Sequence, residues 1–316
     1  MESKSLMMYL KGLSDPRKAK GKRHEQEVIL IIIILGLMTG RKSMREIARF
    51  GSQYSEELSK KLPLHRRKSP SLTTLTRTLN KIAQDELCDC FNKWMEQFIT
   101  TEEIAIDGKS LGSTAKNIGS KEQNFVSMVS FFGHRSELIL KMGIMENKKE
   151  SEIKIVESLL EEFKIEEGIL TLDALHTQKK TVSKIEGCDV GYIVPVKKNQ
   201  MGLYKKIQSK DKEEKPLSKD YWKQEGHGRS VKCKIRVWKA DEKLQNKWAG
   251  LTQYIAITRK GYRDEKWFER TTYYITNTNL SPYRLSKIIR GHRKIENRGG
   301  AAPHITLDKG RNNERR

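Results

Sequence analysis

Four cysteines in 316 residues are too few for a disulfide scaffold, and their scarcity points to a reducing, cytosolic compartment. No apolar run reaches bilayer length. The longest, Val28 to Met38 (VILIIIILGLM), has eleven residues where about 20 are needed. It lies far from the start and has no cleavage-type site, so it reads as a buried core helix rather than a signal peptide. Cys88-Asp89-Cys90 has no companion Cys or His at zinc spacing and reads as part of a helix. His24-Glu25 lacks the second histidine of a zinc protease motif, and no glycine-rich phosphate loop occurs, which excludes nucleotide hydrolysis. There is no internal repeat and no long low-complexity segment. Membrane-spanning and secreted classes are thereby set aside, while 36% hydrophobic residues suffice for a core.

Acid is also short: 62 Lys+Arg stand against 40 Asp+Glu, a formal charge of +22. A chain so basic repels itself unless an anion is near, and nucleic acid is the commonest polyanion. The excess is concentrated in two places. Residues 1–80 hold 17 basic and 7 acidic residues, and residues 197–239 hold 14 and 5. Two separated basic surfaces suit a protein that grips a long polymer twice. Solvated lysine-rich faces explain either segment alone equally well.

The length suggests about two domains of roughly 150 residues. Residues 1–100 read as helical, with helices expected at 25–38, 43–50, 54–61, 71–82 and 85–99. The basic turn PLHRRKSP precedes a helix start at Ser71. After residue 100 the pattern becomes mixed α/β, and this second region is taken as 101–316. Ile104–Ile106 is a short strand ending at Asp107-Gly108, and Ile169–Leu172 is another ending at Asp173. Phe125–Phe132 and Leu138–Ile144 read as a hairpin, 152–163 and 177–186 as helices, and Tyr192–Val196 as a strand. Residues of about 200–280 read as a β-rich insertion, led by the alternation of Val231, Cys233, Ile235 and Val237 with Lys232, Lys234 and Arg236. A last helix is expected from Pro282 to Asn297. Tyr9, Trp94, Trp222, Trp238, Trp248 and Trp267 have faces for stacking on bases, although packing is the commoner use.

Strand carboxyl ends are where ligand sites gather in α/β sheets. Asp107 and Asp173 converge there if their strands are neighbours. Converging carboxylates need a cation, and Mg²⁺ takes hard oxygen ligands from carboxylates and phosphates. Two such ions roughly 3.5–4 Å apart serve phosphodiester chemistry. Glu296 on the last helix is the candidate third ligand. The plainer alternatives are a turn at Asp107-Gly108, a helix cap at Asp173 and a solvated charge at Glu296.

The chain resembles the DDE-type transposases of bacterial insertion sequences, in the branch of the H-repeat-associated proteins. The resemblance starts at Asp15-Pro16-Arg17 and Gly21-Lys22-Arg23-His24, and passes through Ser43, Ile47 and Phe50-Gly51. It continues in Ala105-Ile106-Asp107-Gly108-Lys109-Ser110, Thr171-Leu172-Asp173-Ala174 and Lys197-Lys198-Asn199-Gln200. His227-Gly228-Arg229, Trp248 to Leu251, Tyr273-Tyr274-Ile275 and His292 to Asn297 complete it. It spans residues 6 to about 297, with the order and spacing of many short motifs carrying it.

The resemblance implies a ribonuclease-H-like mixed-sheet core with a helical N-terminal region and a β-rich insertion. It implies catalytic, metal-holding Asp107, Asp173 and Glu296, and two Mg²⁺ ions for which Mn²⁺ substitutes. It further implies cleavage and strand transfer at the terminal inverted repeats of an insertion sequence, and a homodimer in the active complex. The setting is a bacterial cytoplasm, with nucleoid association on DNA. Lys197, Lys198, His227, Arg229, Arg290 and His292 are expected phosphate contacts, and Asn199 and Gln200 reach bases or backbone. The sequence departs from the family at its end. Arg293 replaces a tryptophan, and Asn297 is followed by Arg-Gly-Gly-Ala-Ala-Pro303, a helix-breaking run. That departure suggests a truncated or frameshifted copy, with a catalytically impaired DNA-binding remnant as the alternative function. A basic RNA-binding protein would explain the charge but not the ordered motifs.

Overall fold

The computed structural model describes residues 4–19, 22–116, 124–146, 151–163, 167–226, 229–263 and 265–301. The chain divides into two compact units, one up to Phe98 and the other from Ile99 to Gly300.

The first unit is helical, with α1 (Leu6–Leu10), α2 (Gln26–Met38), α3 (Met44–Gln53), α4 (Ser55–Ser59), α5 (Leu72–Leu79) and α6 (Gln84–Met95). The apolar run forms α2 and supplies the centre of the core, where Val28, Ile29 and Ile32 are fully buried against Ile47, Leu75 and Leu10. Caps set the helix starts. Ser43 Oγ accepts from the Glu46 amide at 3.2 Å, and Ser71 Oγ accepts from the Thr74 amide at 3.3 Å. The basic turn bends through His65–Arg67, where Arg66 and Arg67 take positive φ of 51° and 54°. Asp15-Pro16-Arg17 closes on itself: Arg17 donates through Nε and a terminal nitrogen to the Asp15 carboxylate at 2.8 and 2.9 Å. That guanidinium holds the Asp15 carboxyl down at about 2. Cys88 and Cys90 lie in α6, as the sequence suggests, and both are buried.

The second unit is built on a sheet. Its elements are β1 (Glu103–Lys116), β2 (Asn124–Gly133), β3 (Ile139–Glu146), α7 (Glu152–Glu162), β4 (Ile169–Thr171), α8 (Lys179–Glu186), β5 (Gly191–Val196), α9 (Met201–Glu213), β6 (Ser218–Gly226), β7 (Arg229–Lys239), α10 (Glu242–Gln245), β8 (Gln253–Arg263), β9 (Lys266–Thr276) and α11 (Pro282–Ala301). Among the described residues the strands form one nine-stranded sheet in the order β3-β2-β1-β4-β5-β9-β8-β7-β6. The pairs β1–β4 and β4–β5 are parallel, and the neighbouring pairs are antiparallel.

Three details differ from the sequence reading. β1 does not stop at Asp107 but runs on to Lys116, because Leu111 and its predecessors stay paired with β2 after β4 has left. The stretch after residue 200 opens with a helix, α9, and its strands join the core sheet edge to edge through β5 and β9. The last helix continues through Gly299-Gly300 to Ala301. Pro303 lies outside the described residues.

The register separates the two faces of the sheet. Ala105 pairs with Thr171, Thr171 with Ile193, Ile193 with Thr276, Tyr274 with Ile255 and Ile255 with Val237, so these residues share one face. On that face α11 buries Leu285, Ile288 and Ile289 against Ile193, Ile235, Val237, Ile255, Ile257 and Tyr274. α7 and α9 pack on the other face, α7 through Ile155 and Leu159 beside Gly143, and α9 through Tyr204 against Tyr273 at 5.3 Å.

Candidate catalytic site at the strand carboxyl ends

Pairing between β1 and β4 ends at Ala105 and Thr171. Two residues further along each chain stand Asp107 and Asp173. The two aspartates therefore occupy equivalent positions past the end of one parallel ladder, both half-buried. Asp107 shares the face of Ala105 and Thr171, the face that α11 covers.

Beyond β4, Asp173 acts as a cap. Its Oδ1 accepts from the Leu175 amide at 2.8 Å and starts a one-turn 3₁₀ helix, Ala174–His176. The cap and the site residue are thus the same side chain. The turn is tied down from the 3₁₀ turn after β5: the Asn199 side-chain amide donates to the Ala174 carbonyl at 2.8 Å, and the Gln200 side-chain amide to the Thr177 carbonyl at 2.9 Å. Thr177 Oγ1 donates to the Pro195 carbonyl at 2.6 Å. Two residues that the resemblance places at DNA are engaged here in holding the aspartate's loop.

Below Asp107 a second brace appears that the sequence did not signal. His176 is 1% exposed, and its Nε2 lies 2.9 Å from Glu152 Oε1. The same carboxylate presses on the backbone at residue 108, where a Cβ would come within 2.3 Å of Glu152 Cδ. A side chain there would have to displace the Glu152 carboxylate from His176. Glu152 opens α7 and His176 lies beyond β4, so only the fold brings them together.

α11 carries the third expected ligand. Arg284 pairs with Glu103 at the start of β1, and His292 Nδ1 meets Thr171 Oγ1 at 2.9 Å at the end of β4. The helix therefore advances in the direction of β1 and β4, towards their carboxyl ends. Glu296 lies four residues after His292, about one turn; its side chain lies outside the described residues. Gly291 permits the close approach of α11, since a Cβ there would sit 2.5 Å from His134 Nδ1. Burial, aided by the charge of His292, lowers His134 to about 4 and keeps its ring neutral at pH 7.

The other expected DNA contacts are scattered. Lys197 and Lys198 are exposed just past β5, whose carboxyl end lies beside that of β4. Arg290 donates from Nε to the Ser286 carbonyl at 3.1 Å, and its guanidinium lies 5.0 Å from the Trp222 ring centroid. Arg229 pairs with Arg263 in the β7–β8 ladder, and its side chain lies outside the described residues, as does His227. Of the tryptophans, Trp238 and Trp248 are buried and Trp267 is 58% exposed.

The side chains fit a divalent ion in kind, two hard-oxygen carboxylates at neighbouring strand ends. Among the described residues, however, no group of three acidic, His or Cys ligands gathers. No helix among them is long and apolar enough to cross a membrane.

Parallel strands that deliver two aspartates to one end, with an acid-bearing helix alongside, define a candidate metal-dependent phosphoryl-transfer site. Residues 99–299 match the family model described as Transposase DDE domain, residues 7–95 match the model described as DDE_Tnp_1-associated, and the chain belongs to the DDE transposase family. It is 27% identical to the Escherichia coli K12 protein YbfL, across 94% of this chain and 82% of that one. It is also 27% identical to YncI of Escherichia coli O157:H7, named as a candidate transposase, across 94% and 78%. A third relative is the H repeat-associated YbfD of strain K12, likewise so named, at 27% identity across 66% and 83%. The relationship with H-repeat-associated transposases and mobile elements stands on these matches.

Proposed function

We infer that this protein is a DNA transposase that cuts and joins DNA at the ends of its own insertion sequence. The observation that carries the reading is the parallel register of β1 and β4, which ends at Ala105 and Thr171, two residues before Asp107 and Asp173 in each case. The order β3-β2-β1-β4-β5, an antiparallel meander continued by two parallel strands, supports a ribonuclease-H-like core. In this reading the unit up to Phe98 is the transposase-associated helical region, and the rest is the catalytic domain with β6–β9 as its extension.

Asp107, Asp173 and Glu296 would hold two Mg²⁺ ions. When bound, such ions polarise the phosphodiester, make water or a 3′-hydroxyl nucleophilic and stabilise the leaving oxygen. The chain's part is placement. Asp173 is fixed by its own cap and by Asn199 and Gln200, and the Glu152 carboxylate lies against Gly108 next to Asp107. The His292–Thr171 contact sets the height of α11 and so of Glu296. Lys197 and Lys198 are exposed at the same end of the sheet, placed to meet phosphates. The reaction needs two element ends together, which calls for a dimer on DNA.

The test is nicking, in Mg²⁺, of a plasmid carrying the repeats that flank the gene. The native chain nicks it, and Asp107→Asn and Asp173→Asn do not. Persistent nicking in both variants would overturn the assignment.

A further inference from the structure

The outer half of the sheet carries a feature that the carboxylate site does not use. In direct register across three strands, Lys223 of β6 faces Lys232 of β7, and Lys232 faces Lys260 of β8. Like charges set directly opposite one another in a sheet repel. Lys219 and Lys234 lie on the same face, Lys219 opposite Arg236 and Lys234 opposite Tyr221.

Among the described residues none of the five lysines has a carboxylate in ion-pair reach. Arg236, on the same face but nearer β5, shows the contrast: α9 covers it, and Asp211 binds it through two hydrogen bonds of 2.6 and 2.8 Å. Glu225 and Glu269 also belong to the lysine face, Glu269 opposite Lys260 in register, yet neither carboxylate closes an ion pair with a lysine of the row. Beyond α9 the face is open, and three aromatic rings are exposed on it, Tyr221 at 56%, Tyr262 at 53% and Trp267 at 58%. Tyr262 and Trp267 pair edge to face at 5.2 Å, and Lys234 stands 5.6 Å over the Tyr221 ring.

On the reverse side Ile235, Val237, Ile255 and Ile257 are buried under α11, and Arg259 and Arg270 lie on that side further out. The lysine face itself sets Lys219, Lys223, Lys232, Lys234 and Lys260 against Glu225 and Glu269, so its open part is predominantly of one sign. Strands lie about 4.8 Å apart and residues of one face about 7 Å apart along a strand, so the lysines form a lattice about 10 Å wide. Point charges on flexible stems suit phosphate oxygens, which need no fixed fork geometry. Duplex DNA carries one charge per about 1.7 Å of axis, dense enough to satisfy the lattice.

The lysines also face away from the aspartates. Asp107 shares the α11 face with Val237 and Ile255, whereas Lys232, Lys234 and Lys260 alternate onto the opposite one. A duplex lying on the lysines is not the duplex whose phosphodiester lies at Asp107 and Asp173.

We propose that the Lys223–Lys232–Lys260 row is a docking surface for the backbone of a second, sequence-independent segment of duplex DNA. The choice of DNA as the polyanion rests on the transposase reading above. The experiment measures binding of the full chain to a 30-base-pair duplex of arbitrary sequence as a function of NaCl. Each phosphate contact contributes about 0.9 to the slope of log affinity against log salt, so the triple variant K223Q/K232Q/K260Q should lose about 2 to 3 from it. The charge-keeping variant K223R/K232R/K260R should retain the slope, which separates charge from folding. An unchanged slope in the glutamine variant overturns the proposal, as does absence of duplex binding by the native chain at low salt. If instead the glutamine variant loses binding only to phosphatidylserine vesicles, the surface serves a membrane and the proposal also falls. Failure of the transposase reading shows elsewhere, as nicking that survives Asp107→Asn, and leaves the slope comparison intact.

Discussion

The inner strands β1, β4 and β5 belong to the same sheet as the outer strands β6 to β8, yet the two groups handle charge differently. On the inner strands polar groups are tied to named partners. Asp173 caps its own turn, His176 meets Glu152, and Asn199 and Gln200 hold carbonyls of the Asp173 loop. On the outer strands three lysines stand abreast with no carboxylate in ion-pair reach among the described residues. The difference matches two demands. Cutting a bond requires atoms held to within about 1 Å, whereas holding a phosphate backbone requires charge and tolerates loose geometry.

The contrast breaks first, and most severely, at the carboxylates. Asp107→Asn and Asp173→Asn should each lower Mg²⁺-dependent nicking on the order of a thousandfold or more, because groups acting as a unit are lost as a unit. The folded state should survive, as both side chains are only half-buried, and an unchanged melting temperature checks this. A residual rate near that of the native chain would mean that the inner strands are no more committed than the outer ones.

The next effect is on stability and separates the faces rather than the halves. Ile257 is fully buried between β8 and α11. Ile257→Ala should cost about 2–5 kcal/mol in denaturant unfolding, through lost burial and the cavity left behind. Lys260 on the opposite face should tolerate Lys260→Ala within about 0.5 kcal/mol. Equal costs at the two positions would contradict the face assignment.

How far these features were legible in the sequence depends on the range of the forces involved. The alternation at Val231 to Val237 is a local signal, and the strand formed where it predicts. Asp107 and Asp173 were legible as strand-end acids, yet Asp107 lies inside a longer strand. Gly108-Lys109-Ser110 has turn-like composition, and only the pairing with β2 keeps it extended. α9 was hidden because two buried anchors, Leu203 and Ile207, are all it offers among lysines and polar residues. Glu152 and His176 were invisible for a deeper reason. They come from separate elements, and nothing in either local sequence records the other. The lysine row is similar: Lys223, Lys232 and Lys260 look like scattered surface charge until the register aligns them.

A milder break tests the brace around Asp173. Asn199→Ala removes the donor to the Ala174 carbonyl and frees one side of the turn. A displacement of about 1 Å at a reacting group lowers rate on the order of a hundredfold. The expected outcome is a fall in kcat of up to that size with duplex affinity unchanged. A fall in affinity with kcat unchanged would return Asn199 to the DNA contacts that the family resemblance implies for it.

Acid should act on the inner half through His134. Its folded-state value of about 4 lies below the ordinary 6.5, because burial disfavours the charged ring. The unfolded chain therefore binds the proton more readily than the folded one between those values. The stability contributed by the neutral ring is present in full above pH 6.5, declines as pH falls from there and is lost by about pH 4. The change is on the order of 3 kcal/mol. Urea unfolding of the native chain and of His134→Asn across this window measures it, and parallel pH profiles for the two chains would refute it.

The smallest effect has the opposite sign and concerns the outer half alone. Lys232 stands between Lys223 and Lys260, so it takes part in two like-charge contacts across neighbouring strands. Such contacts are each unfavourable by about 0.2–1 kcal/mol. Lys232→Gln should therefore raise stability by a few tenths of a kcal/mol to about 1 kcal/mol at low salt. The gain should shrink as salt screens the exposed charges that cause it. Most substitutions destabilise, so a gain at a fully folded surface position marks a residue kept for something other than the fold. Adding duplex DNA should then reverse the order of the two chains, since only the native row supplies its full charge to the phosphates. Thermal melts of both chains, with and without duplex, at two salt concentrations make the comparison. A destabilising Lys232→Gln would place the lysine among the residues that hold the sheet together.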